Sequence, residues 1–287
     1  MSTFLAASSR ITLVESAAAQ LRLEAARAFV DRHAGAGDVL IVAASRSAAD
    51  DFARSIAARS GATLGLHRFS LTQLAARIAS PVLAAQGVAP SSPLGREAVA
   101  ARAAFDARVT DSLPYFGPVA STPGFPRALA RTLGELRAAQ VAAERLRGLP
   151  LGGPDLAELL DRFEEQFHAA SSTDRAALFD AATRALPDAA DVYRDAALLL
   201  LDVAPDSGTE CAFVQALTAS STRDVLVTVP FGDVSTLTKL EALGMERDVR
   251  ELKAETDLAM LRRHLFADTQ PTVREPVGDV VLFSAPG

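Results

Sequence analysis

Cys211 is the only cysteine in a chain of 287 residues, so no internal disulfide can form, as expected of a protein in a reducing compartment. Residues 1–10 carry neither a basic start nor an apolar run of signal-peptide length. The longest apolar stretches, six residues each at Val39 to Ala44 and Ala196 to Leu201, are far too short to span a bilayer. A cytoplasmic protein with no membrane partner is the expectation. Lysine is nearly absent: Lys239 and Lys253 are the only two, and arginine supplies the remaining positive charge. Arginine is the better residue for bidentate contacts to phosphate. The net charge of −6 excludes a surface given over wholly to nucleic acid, though not a local basic groove. The four histidines, His33, His67, His168 and His264, stand apart from one another and from Cys211. Their spacing fits no metal site.

What is present is ordinary for a globular protein, with 49% apolar residues and a length of about two domains. Short β-rich runs alternate with helical patterns, the mark of βαβ units and a parallel sheet. Strands are predicted at Ile11–Val14, Val39–Ala44, Thr63–Phe69, Ala196–Asp202 and Val225–Val229, and a last one at Val280–Phe283. Ser47 to Asp50, Ser70 to Gln73 and Ser207 to Glu210 read as helix-opening capping boxes. Thr122-Pro123-Gly124 and Thr173-Asp174 open further helices, and Leu156, Leu159, Leu160, Phe163 and Phe167 form the apolar face of another. Helices are also predicted from Asp233 to Leu243 and from Asp257 to Phe266. From about Pro90 to Asp191 no convincing strand is found. The expected fold is α/β: a P-loop-NTPase-like (RecA-like) parallel sheet with helices on both faces, plus an all-helical inserted subdomain. Residues 1–89 and 192–278 form the two parts of the α/β domain, 90–191 the helical insertion, and 279–287 the start of a following domain cut short.

A triphosphate site on such a sheet needs a glycine-rich loop whose amides cradle phosphate, a lysine, and a Ser/Thr on magnesium. The first strand is followed instead by Glu15-Ser16-Ala17-Ala18-Ala19-Gln20-Leu21-Arg22, without glycine or lysine. The alanine Cβ atoms crowd the phosphates and Glu15 repels them. Asp202 ends a strand where a magnesium-organising acid is common, but its neighbour is Val203 rather than glutamate. It reads as a solvated strand end, and Asp206 as a turn or cap. Glu164-Glu165 and Asp50-Asp51 read as solvated helix faces. No catalytic, nucleotide-binding or metal residue is predicted, nor any cofactor. Open α/β sheets bind ligands at the carboxyl ends of their strands. There Ser45-Arg46 and Arg68 to Ser70 pair arginine with hydroxyls and a helix N-terminus, a set suited to phosphate.

Residues 39–51, VLIVAASRSAADD, resemble the second-strand motif of the AddB-type helicase–nuclease subunits of bacterial break repair. Residues 66–75, LHRFSLTQLA, resemble that family's next strand–helix motif. Pro123-Gly124-Phe125-Pro126-Arg127-Ala128-Leu129, Gly134-Glu135-Leu136-Arg137 and Ser172 to Phe179 look like the same proteins. So does Leu282-Phe283-Ser284-Ala285-Pro286-Gly287, similar to the opening strand of their second motor-like domain. The resemblance implies the N-terminal helicase-like domain of a longer protein that ends in a PD-(D/E)XK nuclease. The parent activity is an ATP-dependent helicase/deoxyribonuclease. The altered phosphate loop departs from active relatives and matches RecC-like partners that guide DNA without hydrolysing ATP. In active relatives the two strand-end motifs touch single-stranded DNA, which points to Ser45, Arg46, Arg68 and Ser70 here.

The function expected is therefore an inactivated superfamily-1 helicase-like scaffold in double-strand-break repair, engaging DNA beside a helicase–nuclease partner subunit and not itself an enzyme. The alternatives are a docking module for a motor subunit that never touches DNA, and a nucleotide- or small-ligand-binding enzyme with a divergent phosphate loop.

Overall fold

A parallel strand covered on both faces must be apolar along its whole length, and the five-residue runs VLIVA and ALLLL satisfy that condition. The computed structural model describes residues 10–60, 64–189, 191–241, 244–251, 256–265 and 270–284. Thr63, Leu243, Phe266 and residues 285–287, which belong to elements predicted above, lie outside the described residues. β1 (Ile11–Ser16) leads through α1 (Ala19–His33) to β2 (Val39–Ala43), and α2 (Arg46–Ser60) leads to β3 (Leu66–Ser70). Then come α3 (Leu71–Ala85), β4 (Ala89–Pro90), α4 (Pro93–Val109), α5 (Phe125–Ala138), α6 (Ala143–Arg147), α7 (Gly153–Ala169), β5 (Ser172–Thr173) and α8 (Arg175–Ala185). The chain continues with α9 (Asp191–Arg194), β6 (Ala197–Leu201), α10 (Gly208–Ser220) and β7 (Val225–Pro230). Next are α11 (Val234–Glu241), β8 (Glu246–Val249) and α12 (Asp257–His264).

Six strands form one wholly parallel sheet in the order β3-β2-β6-β7-β1-β8, flanked by helices. The fold is α/β. The chain divides into two units, one of residues 1–71, 190–204 and 218–287, the other of residues 72–189 and 205–217.

In the sheet-bearing unit, Val39, Ile41, Leu199 and Leu201 point to one face and pack with Ala26 and Phe29 of α1 and Phe52 and Ile56 of α2. The alternate residues Leu40, Val42, Leu198 and Leu200 are equally buried, as the double coverage requires. β3 is Leu66–Ser70 rather than Thr63–Phe69. Two expectations fail here. Val281, Leu282 and Phe283 are exposed and unpaired, because a strand needs a ladder partner and none of the described residues supplies one. Conversely, the charged run ERDV forms β8, an edge strand on β1 whose polar side chains face solvent.

The other unit is helical apart from β4 and β5, a two-residue parallel pair missed in the sequence. Its core joins Ala100, Ala103 and Ala107 of α4, Leu129 and Leu133 of α5, and Leu159, Phe163 and Phe167 of α7. The alanine stripe lets α4 lie close against its neighbours. Phe163 and Phe167 meet edge to face, with centroids 4.8 Å apart. Asp155 is buried and accepts from the Tyr115 and Phe116 amides at 2.9 and 2.8 Å, so its charge is compensated. Asp174 caps α8 through the Ala177 amide at 2.9 Å. Glu210 N–H donates to Ser207 Oγ at 3.3 Å, but the Glu210 carboxylate returns to Asp206 N–H (3.0 Å) rather than to Ser207, a shifted capping box.

Phe163→Ala leaves a cavity the surrounding helices fill only in part. It is expected to cost about 3–5 kcal/mol, measured as a lower urea midpoint of the helical unit. A pH dependence is expected in the sheet-bearing unit. Burial holds the His33 imidazole below its ordinary value of 6.5; Asp224, 3.4 Å away, opposes the shift, and Arg32 and Arg223 reinforce it. The unfolded chain then binds the proton more readily, so stability is complete above pH 6.5 and declines as pH falls from there through the lower native value. Melting curves from pH 7.5 to 5 should show this decline, and His33→Gln should flatten it.

Candidate functional site

The carboxyl ends of the parallel strands form the edge where such sheets bind ligands. The chain leaves β2 outward to β3 and leaves β6 in the opposite direction to β7, so the crevice between β2 and β6 is a topological switch point. Ser45 and Arg46 stand at one side of it, Asp202 at the other.

Arg46 and Arg68 converge on one carboxylate. Arg46 Nε donates to Asp50 Oδ2 at 3.0 Å, and Arg68 Nη1 lies 3.4 Å from Asp50 Oδ1, an ion-pair contact longer than a good hydrogen bond. Ser45 rather than Ser47 is the cap of α2: its Oγ accepts from Ala48 N–H at 3.1 Å and lies 3.0 Å from Ser47 Oγ. The capping box read at residues 47–50 is thereby displaced, because the helix starts at Arg46 and Asp50 turns to the two arginines. Ser70 ends β3 opposite Ala43 of β2. Ser45, Arg46 and Ser70 thus share one end of neighbouring strands, while Arg68 lies in the middle of β3 opposite Ile41 and joins them only through Asp50. Two guanidinium groups there face a single half-exposed carboxylate. Asp51 lies on a solvated helix face, as read from the sequence, beside Arg54, whereas Asp50 is held by the two arginines.

The turn after β1 is built differently from any phosphate loop. Ser16 Oγ accepts from Ala18 N–H at 3.1 Å and closes the turn, and α1 begins without a capping side chain. Six residues beyond, Arg22 is 8% exposed at its side chain. Its Nε and Nη2 bond the two carboxylate oxygens of Asp202 at 2.9 and 3.0 Å, and its Nη1 donates to the Ser16 carbonyl at 2.5 Å. A guanidinium pairs with a carboxylate best in this bidentate form. Thr228 of β7, fully buried, donates to Asp202 Oδ1 at 2.7 Å and accepts from Asp202 N–H at 2.9 Å. Asp202 sits at φ 49°, a left-handed conformation that aspartate tolerates better than most residues and that these bonds hold in place. Asp202 is therefore a locked ion-pair partner, not the solvated strand end read from the sequence.

Glu15 also departs from its sequence reading. It is 1% exposed and accepts from Arg247 Nε and Nη2 of β8 at 2.8 and 2.5 Å, so its charge is compensated within the fold rather than presented to the turn. The cleft beside Ser16, Ala17 and Ala18 has an opposite wall carrying Arg250, Arg262, Arg263 and Glu251. Arg250 is paired with Asp248 at 2.8 Å and Arg263 with Glu251 at 3.1 Å. The cleft is open to solvent and shallow, with about 30 Å³ of room for water.

Arg22, Arg247 and Arg250 were not picked out in the sequence. A signal for Arg22 existed: it falls on the stripe of α1 that carries Ala25, Ala26 and Phe29, so a helical wheel turns it to the core. His33 and His67 lie near Asp224 and Asp38 respectively, at 3.4 and 3.6 Å. Among the described residues no group of three or more His, Cys, Asp and Glu side chains is placed to hold a metal ion. No helix among them is long and apolar enough to cross a membrane. No protein-family model and no curated protein sequence matches the chain.

Arg22→Met removes the guanidinium and leaves Asp202 with Thr228 alone. Since Asp202 keeps partial solvent access, the loss is expected near the lower end for breaking a buried pair, about 3 kcal/mol by chemical denaturation. Adding Asp202→Asn should restore part of it, because the orphaned charge goes too.

Proposed function

We propose that the chain is an inactivated, RecA-like helicase domain of a helicase–nuclease subunit in DNA double-strand-break repair. It acts in the cytoplasm as a DNA-engaging scaffold beside a motor subunit, without a cofactor and without hydrolysing ATP. One observation carries the reading. The space a polyphosphate and its metal need at the end of β1 is taken by the Arg22 guanidinium, bonded to Asp202 and to the Ser16 carbonyl. A cation supplied by the chain itself neutralises the strand-end acid, so the sheet edge is complete without a nucleotide.

The DNA-engaging part of the proposal draws on Ser45, Arg46, Arg68 and Ser70. Part-exposed ion pairs such as those of Asp50 are worth about 1 kcal/mol or less, so Arg46 and Arg68 can exchange Asp50 for phosphate oxygens at little cost. Such contacts position a strand without reading its bases. No catalytic residue is assigned.

The docking alternative rests on a different feature. The apolar face of α5, a natural candidate for a partner, is spent on the unit's own core through Leu129 and Leu133. The exposed apolar residues Tyr115, Leu149 and Leu151 instead flank the turn between α6 and α7, with Leu151 held at φ 58°. They favour a protein partner for that turn, alongside DNA contact elsewhere.

Filter binding of a labelled dT20 strand tests the proposal. Retention at 25 mM salt should fall as salt rises, with a log–log slope of about −1.4 if two arginines each neutralise one phosphate. Absence of retention at low salt contradicts DNA engagement.

A further inference from the structure

The helical unit carries a basic groove that plays no part in the site above. It is about 910 Å³ in volume and is bounded by the first turns of α4 and α8 and by the length of α5. Arg96, Arg127, Arg131 and Arg175 line it. Small residues line it along α5, among them Ala128 and Gly134, with Gly124 just before the helix, so an extended chain can approach the helix backbone closely.

The arginines differ in how firmly they are held. Arg175 is fixed: it donates to Glu210 at 3.0 and 2.8 Å, and its guanidinium lies over Phe179, 5.2 Å from the ring centroid. Arg127 and Arg131 reach into solvent, with side chains 85% and 83% exposed. Arg127 is 4.0 Å from Glu97, at the limit of an ion pair, and Arg131 pairs with Glu135 one helical turn away at 2.9 Å. Arg96 has no ion-pair partner among the described residues. Exposed pairs of this kind contribute about 1 kcal/mol or less, so three guanidinium groups can turn to an incoming anion. Three acids also line the groove against the four arginines: Glu97 and Glu135 are the partners of Arg127 and Arg131, and Asp174 is bonded by Arg137 at 2.6 Å and by the Ala177 amide at 2.9 Å.

The composition of the walls narrows the ligand. A site that binds unpaired bases presents aromatic rings for them to stack on, and no aromatic side chain lines this groove. What remains is recognition of repeated negative charge by planar, bidentate donors. We propose that this groove binds the phosphodiester backbone of DNA, independently of sequence and at least as well in duplex as in single-stranded form, duplex having the denser charge. The assignment rests on the DNA-engaging reading above and places its principal contact in the helical unit rather than at the sheet edge.

The test is fluorescence anisotropy with a labelled 20-base-pair duplex, with dT20 in parallel, at 25 to 200 mM salt. Three variants of the full chain are compared: Arg127→Glu/Arg131→Glu, Arg46→Glu/Arg68→Glu, and Arg54→Glu/Arg59→Glu on α2 as an equal charge change elsewhere. Circular dichroism and melting check that each is folded. The expected result is at least a tenfold loss of duplex affinity for the groove variant, with a salt slope shallower by about 1.8, and a smaller change for the other two. Equal loss in all three variants overturns the groove, since net charge alone then explains the effect. Loss confined to Arg46→Glu/Arg68→Glu overturns it while leaving DNA engagement standing. A wild-type chain that binds neither duplex nor dT20 sinks both. Poly-L-glutamate that binds and is not displaced by duplex assigns the groove to an acidic protein segment and overturns the DNA proposal.

Discussion

The ion pair between Arg22 and Asp202 is the contact around which the ligand-facing edge of the sheet is arranged. It joins the first turn and a half of α1 to the end of β6 across 180 residues of sequence. A guanidinium so deeply buried persists only with its donors satisfied, and here three of them bond the two Asp202 oxygens and the Ser16 carbonyl. The same pair explains why Asp202 holds a left-handed backbone and why Thr228, buried in a strand of valines and leucines, is a hydroxyl residue. Each of these features is costly alone. Together they form one closed network.

That network also redistributes the reasons for reading the β1–α1 turn as unfit for polyphosphate. The electrostatic part, repulsion by Glu15, loses force because Arg247 compensates that carboxylate inside the fold. The steric part gains force. Besides the alanine side chains, a guanidinium already occupies the crevice. Arg250 and Arg263, which line the cleft beside the turn, are bound to acids of their own. The Arg22–Asp202 and Arg247–Glu15 pairs are satisfied by the chain's own side chains and need no ligand. Positive charge able to reorient lies at Arg46 and Arg68, in the α4–α5–α8 groove and at Arg262 beside the turn, which has no ion pair among the described residues.

The parts of this arrangement legible in the sequence are those set by local pattern. β2 and β6 are apolar in every residue and β7 nearly so, and such runs have few alternatives to a buried parallel strand, while β1 was legible from the run ITLV at its start. The four-residue spacing of Leu159, Phe163 and Phe167 marks a buried helix face by its period. β8 escaped notice because an edge strand need not be apolar, and Glu246-Arg247-Asp248-Val249 looks like a loop until β1 is beside it. Residues 280–283 show the converse: β propensity is only an opportunity to pair. At the site, the strand-end position of Ser45, Arg46 and Ser70 was legible, while the mid-strand place of Arg68 and the carboxylate of Asp50 that it shares with Arg46 were not. Nor was Arg22, since one residue on an amphipathic helix says little about a carboxylate 180 positions away.

Isothermal titration of Mg·ATP into the wild-type chain bears most directly on whether this internal ion pair has replaced a nucleotide. The account predicts no saturable heat at millimolar nucleotide, because the guanidinium of Arg22 and the phosphates compete for one space. Stoichiometric binding that persists with Arg22 in place would contradict it.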